Sequence, residues 1–180
     1  MIDISDIEKK FMKKEEATDK ITAENRTIVR ACSNAIKAIH AKDMKAAAES
    51  LQEAEDGIKK FEKYRTEFPN QINHILQEYA EARIVLEAVE KKRILGYSEL
   101  PVGEVSYLNG LLDATGELKR EMYECLRQGK KKDAEKYFAL MEEVYDSLLP
   151  IRFSNSVLPD FRRKQDVARM QIEQARGELL

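Results

Sequence analysis

Apolar residues recur at spacings of three, four and seven along nearly the whole chain, with charged residues between them. The series Ile7, Phe11, Ile21, Ile28, Ala31, Cys32, Ala35, Ile36 and Ile39 predicts a long first helix, loosened around Thr18 and Thr22. Ser5 and Glu8 have the spacing of a capping box at its start. Asp43 suits the N-cap of a second helix carrying Leu51, Ala54, Ile58, Phe61 and Tyr64. Phe68-Pro69-Asn70 ends it, because the residue before a proline avoids the α region. A third helix is expected from about Gln71 to Arg93, with Lys91, Lys92 and Arg93 at the negative end of its dipole. The connection from Gly96 to Gly103, with Pro101, is the clearest break. A fourth helix should run from Glu104 to Arg127, closed by Gly129. A fifth follows from Asp133 to Leu149, stopped by Pro150, and a last one from about Leu158 to Leu180, with Pro159 near its first turn. No strand-like alternation and no repeat interrupts this pattern. The expectation is an all-α bundle of six to seven helices forming one domain over residues 1–180.

Composition narrows the classes. The chain has 180 residues, 36% charged and 43% hydrophobic, with few glycines and prolines and no tryptophan. Aliphatic residues are spread too evenly for disorder, and the length suffices for a core without disulfides. A net charge of −2 excludes a generally basic nucleic-acid binder, so any polyanion needs local positive charge. Cys32 and Cys125 stand singly in helical patterns, which fits a reduced, cytoplasmic chain. The charged start lacks the pattern of a secretory signal, and no window approaches a membrane span.

Two acidic pairs change the picture. Glu78 and Glu81 are three apart and share a helical face, and neither has a Lys or Arg three or four positions away. Asp113 and Glu117, four apart, do the same on the fourth helix. Like charges among apolar neighbours are unfavourable unless a cation arrives, so the four carboxylates are expected to meet and hold a divalent metal. Gly110 and Gly116 flank Asp113 inside that helix, each at a cost of ~1 kcal/mol against alanine, which predicts close approach of another backbone or a ligand. Spacing alone is weak: Glu87/Glu90 and Glu121/Glu124 repeat it and are read as solvated faces. A ferritin-like di-iron site is excluded because Glu-x-x-His is absent at His40 and His74. His74 is read as a structural histidine, and both cysteines as core residues.

The same motifs carry a resemblance. Gln77-Glu78-Tyr79-Ala80-Glu81-Ala82 resembles the Q-E-Y-x-E-A element of translin-associated factor X, of the translin family. Residues 107–120, from Tyr107 through Asp113, Gly116 and Glu117 to Arg120, are similar to its Y-L-x-G-x-x-D-x-T-G-E-L-x-R element. The likeness extends more weakly over Ile21–Glu24 and the helix after Ser156. A basic N-terminal extension is lacking and the segment before Glu104 is short, as in a compact archaeal or prokaryotic member.

The resemblance implies a hollow homo-octamer with metal-dependent endoribonuclease activity. Glu78, Glu81 and Asp113 then match the catalytic acids and Glu117 the nearby fourth, with Mg²⁺ or Mn²⁺ as the cofactor. The expected substrate is single-stranded or short duplex RNA, and single-stranded DNA is a further candidate. Basic residues expected to meet the nucleic acid are Arg26, Arg30, Arg83, Arg120, Arg162 and Arg163. A translin-like binder of single-stranded RNA or DNA without catalysis is the principal rival, and a scaffold without nucleic acid is the third reading. Tyr79 and Tyr107 could stack on bases or serve the core.

Overall fold

A computed structural model describes residues 3–180. Six α-helices carry the described residues: α1 (Ser5–His40), α2 (Met44–Lys59), α3 (Pro69–Lys91), α4 (Glu104–Arg127), α5 (Lys131–Leu148) and α6 (Phe161–Leu179). One-turn 3₁₀ helices at Glu62–Tyr64 and Tyr97–Glu99 lie in the connections, and no strand occurs among the described residues. No helix of the described residues is long and apolar enough to cross a membrane.

Local chemistry explains most boundaries. Asp43 caps α2 by accepting a hydrogen bond from the Ala46 amide at 3.0 Å, as its position predicts. Pro69 opens α3, where its missing N–H costs nothing, and Lys92 closes it in the left-handed region. Gly129, also left-handed, terminates α4.

Several expectations are corrected. α1 runs unbroken through Thr18, whose hydroxyl donates to the Lys14 carbonyl without opening the helix. α2 stops at Lys59, so Phe61 and Tyr64 pack from the following 3₁₀ turn. α6 begins at Phe161, not at Leu158, because Asp160 takes a positive φ of 60° that a right-handed helix cannot contain. The Asn155 side chain accepts the Asp160 amide and fixes that turn. Pro159 therefore precedes the helix.

α4 is the central element, packed on α3, α5 and α6, while α1 packs on α2 and α3. One apolar cluster joins α1, α2, α3 and the first half of α4, around Ile28, Ile75, Leu76, Val85 and Leu112. A second joins α4, α5 and α6 through Leu118, Met122, Met141 and Ile172. Cys32 is buried in the first cluster and Cys125 half-buried at the second, as read from the sequence. The first half of α1 departs from the expected stripe: Ile7 and Phe11 are 56% and 67% exposed, and Ile21 is its first buried residue.

Candidate metal and nucleic-acid site

The site lies where α3 and α4 touch most closely. A β-carbon on Gly110 would stand 2.9 Å from that of Ala80, 3.1 Å from the Gln77 carbonyl oxygen and 3.2 Å from the Glu81 nitrogen. Only glycine allows that approach, and it brings Glu78 and Glu81 beside Asp113. Gly116 faces α6 less tightly: an added β-carbon would meet only the end of the Gln171 side chain, at 3.1 Å. Thr115 donates to Gln171 Oε1 at 2.8 Å and Asn109 donates to the Pro159 carbonyl at 3.0 Å. These bonds hold α6 so that Lys164, Val167 and Gln171, one helical face, look onto α4.

All four predicted acids, Glu78, Glu81, Asp113 and Glu117, line one cavity of about 410 Å³. Lys164, Arg163 and Gln171 complete its wall. Two further cavities adjoin it. One of about 500 Å³ shares Glu78, Asp113, Arg163 and Lys164 and adds His74. The other, about 640 Å³, shares Gly116 and Gln171 and adds Arg120, Lys119 and His40.

The acids differ in their environment. Burial pushes the Glu81 carboxyl up to about 8, and Asp113, Glu78 and Glu117 push the same way. Burial also raises Glu78, with Asp113 adding to it and His74 and Lys164 opposing. Among the described residues no donor hydrogen-bonds Glu81. Asp113, by contrast, accepts from Gln77 at 2.7 Å and from Lys164 at 2.5 and 2.7 Å. Glu117 accepts from His40 Nε2 at 2.5 Å, and that bond holds its carboxyl below the usual range. Behind the acids, burial with the Glu78 and Glu81 charges lifts the Cys32 thiol to about 12, far from a nucleophilic thiolate.

Carboxylate oxygens in a walled cavity are the donors that Mg²⁺ and Mn²⁺ prefer. Among the described residues, no three Asp, Glu, His or Cys side chains converge as they stand to hold a metal ion. Lys164 engages both oxygens of Asp113, so a cation would have to compete with it, whereas His40 takes only Oε2 of Glu117.

The solvated reading of Glu121 and Glu87 is overturned. Glu121 is 1% exposed, accepting from His40 Nδ1 at 2.7 Å and from Lys42. Glu87 is buried and ion-paired to Lys91 and Arg93. His74 is corrected too: its side chain is exposed, with Nδ1 3.9 Å from Glu78.

The Translin family model matches residues 10–175. The chain belongs to the translin family. An uncharacterized protein of Methanocaldococcus jannaschii is 31% identical over 171 residues, spanning 93% of this chain and 77% of that protein. Among solved structures, AfC3PO in complex with duplex RNA superposes with a TM-score of 0.89 at 28% identity, covering 98% of this chain and 94% of that one. Apo-NeC3PO gives 0.87 at 25% identity, covering 99% and 96%. The translin-like all-α fold read from the sequence is thus the fold found.

On this translin-family scaffold the predicted basic residues divide. Arg163 lines the acidic cavity, and Arg120 lines the cavity across Gly116, 3.9 Å from Glu117. Arg26, Arg30 and Arg162 are exposed and do not line the acidic cavity. Arg83 donates to the Tyr79 hydroxyl at 3.3 Å, and that hydroxyl reaches Glu55 on α2. Tyr79 is buried and Tyr107 donates to the Leu95 carbonyl, so both serve the core. Lys42 and His40 are functional candidates that helical periodicity did not single out, and Lys164, in the basic run with Arg162 and Arg163, turns onto Asp113.

Proposed function

We propose that the chain is a metal-dependent endoribonuclease that cleaves single-stranded or short duplex RNA within a homo-oligomer, an octamer in the simplest case. The observation that carries this reading is the cavity uniting Glu78, Glu81, Asp113 and Glu117, in which Glu81 is half-buried, unbonded and strongly raised. A buried carboxylate surrounded by carboxylates is costly to ionise, and a hard divalent cation removes that cost. The likeness to AfC3PO, whose structure contains duplex RNA, supports the substrate class.

Glu78, Glu81 and Asp113 would hold the ion, with Glu117 as a fourth ligand or an orienting neighbour. When bound, Mg²⁺ or Mn²⁺ supplies activation of water near neutral pH and stabilisation of charge on a phosphodiester. Arg163 and Lys164, on the same wall, meet the backbone phosphate, and Arg120 extends the positive surface past Gly116. The adjoining cavities on either side give the strand a path through the site.

Labelled RNA incubated with Mg²⁺ and then with EDTA tests the reading. Cleavage should require the metal and fall at least ~100-fold in Glu78→Gln, Glu81→Gln and Asp113→Asn, while RNA still shifts on a gel. Full activity in the Glu78 and Glu81 variants would sink it. The second reading, RNA binding without cleavage, is favoured by one observation: Lys164 already engages both oxygens of Asp113. Binding with no Mg²⁺-dependent product selects that reading.

A further inference from the structure

One buried polar cluster lies just outside the acidic cavity. His40, in the last turn of α1, sets Nδ1 2.7 Å from Glu121 Oε1 and Nε2 2.5 Å from Glu117 Oε2. Carboxylates in their ionised form only accept, so both ring nitrogens donate and the ring cannot flip without losing both bonds. Glu121 is almost wholly buried, and Lys42, just past the end of α1, donates to its other oxygen. Glu117 lines the acidic cavity while His40 and Glu121 line the adjoining one. The His40–Glu117 bond therefore crosses the partition between the two. Desolvating such charges offsets much of their attraction, so a cluster of this kind is weak evidence of added stability.

We propose that His40 and Glu121 are positioning residues for Glu117. Glu121 fixes the imidazole, the imidazole holds Oε2 of Glu117, and Oε1 of Glu117 is left for the cation of the acidic cavity. This rests on the metal reading above. Outer partners of ligating groups of this kind contribute about 10–100-fold to metal affinity.

Mn²⁺ binding to the full chain, measured by electron paramagnetic resonance and by calorimetry, tests the relay without any turnover. His40→Asn keeps a donor toward Glu121 and loses the one toward Glu117, so its affinity should fall about 10–100-fold. His40→Gln restores a donor toward Glu117 and should recover part of that loss. Glu121→Gln, whose amide cannot accept as a carboxylate does, should fall in the same direction, and it serves if a His40 variant fails to fold. In a Glu117→Gln background none of these changes should weaken binding further, which a merely structural role would not produce. His40→Asn binding Mn²⁺ as tightly as the wild type, or losing as much without Glu117, overturns the relay alone. A wild-type chain that binds no Mn²⁺ overturns the metal reading together with it.

Discussion

The ammonium of Lys164 on α6 lies 2.5 and 2.7 Å from the two carboxylate oxygens of Asp113 on α4, inside the cavity that also holds Glu78 and Glu81. It supplies the positive charge that the isolated acids of α3 and α4 demand. A divalent cation at the same carboxylate would compete with it.

Lys164→Met should therefore separate metal-free from metal-bound stability. Without metal, Asp113 loses a mostly buried partner and the thermal midpoint should fall, by a loss of about 1–3 kcal/mol. Mn²⁺ should bind more tightly than to the wild type and restore more of the midpoint. Weaker Mn²⁺ binding in a melting series would show that Lys164 supports the ion and does not compete with it.

Gly110 and Gly116 predict opposite outcomes for the same substitution. Gly110→Ala forces a β-carbon against Ala80 and the α3 backbone, which cannot yield as a flexible side chain does. The ~1 kcal/mol gain in helix propensity is outweighed by about 1–3 kcal/mol of overpacking, so the variant should melt lower. It should also bind Mn²⁺ less well as Glu81 and Asp113 separate. At Gly116 the obstacle is the end of the Gln171 side chain, which can swing aside. Gly116→Ala should keep or raise the midpoint. Equal losses at both positions in denaturation curves would refute the close-approach account of Gly110.

The contrast between these residues shows what the sequence carries. The helix boundaries at Asp43 and Gly129, and the four acids on two helical faces, depend on local spacing and were legible, whereas Pro69, expected to end the second helix, opens the third. Glu121 was not, because Arg120, Glu124 and Arg127 surround it in sequence like any solvated face. Its partners come from the end of α1 and the turn after it, where His40 and Lys42 arrive from about 80 residues away. Arg83 failed similarly: its place beside the acids in sequence says nothing of Tyr79 and Glu55 drawing it toward α2. The first half of α1 misled in the other direction, since a correct helical period carried apolar residues that stay exposed among the described residues.

That unpartnered stripe bears on assembly. Ile4, Ile7, Phe11 and Met12 are all exposed, and they line one shallow cleft along α1 before Ile21 enters the core. Sixteen residues of helix there span about 24 Å, and a helix in water draws most of its stability from packing of its apolar face. A second copy of the chain covering the stripe explains it within the proposed homo-oligomer. Phe11→Asp combined with Ile7→Asp should lower the molar mass measured by light scattering after size exclusion, with the helical content of residues beyond 20 kept. An unchanged mass would remove the stripe from the interface.

Glu81 sets the pH dependence. Its folded carboxyl titrates at about 8 against an ordinary 4.5, so between those values the folded chain holds a proton that the unfolded chain has released. Stability from this group is complete below about pH 4.5 and is lost as pH rises through 8, with a slope of at most about 1.4 kcal/mol per pH unit. Bound Mn²⁺ favours the carboxylate and reverses the preference, so metal affinity should climb over the same window. Glu81→Gln should flatten both trends: urea unfolding of the metal-free variant becomes less dependent on pH between 5 and 8, and its residual Mn²⁺ affinity loses the climb. A wild-type chain whose metal-free stability rises across that window would show that Glu81 is ionised in the fold, and the case for a cation at the α3–α4 crossing would lose its electrostatic ground.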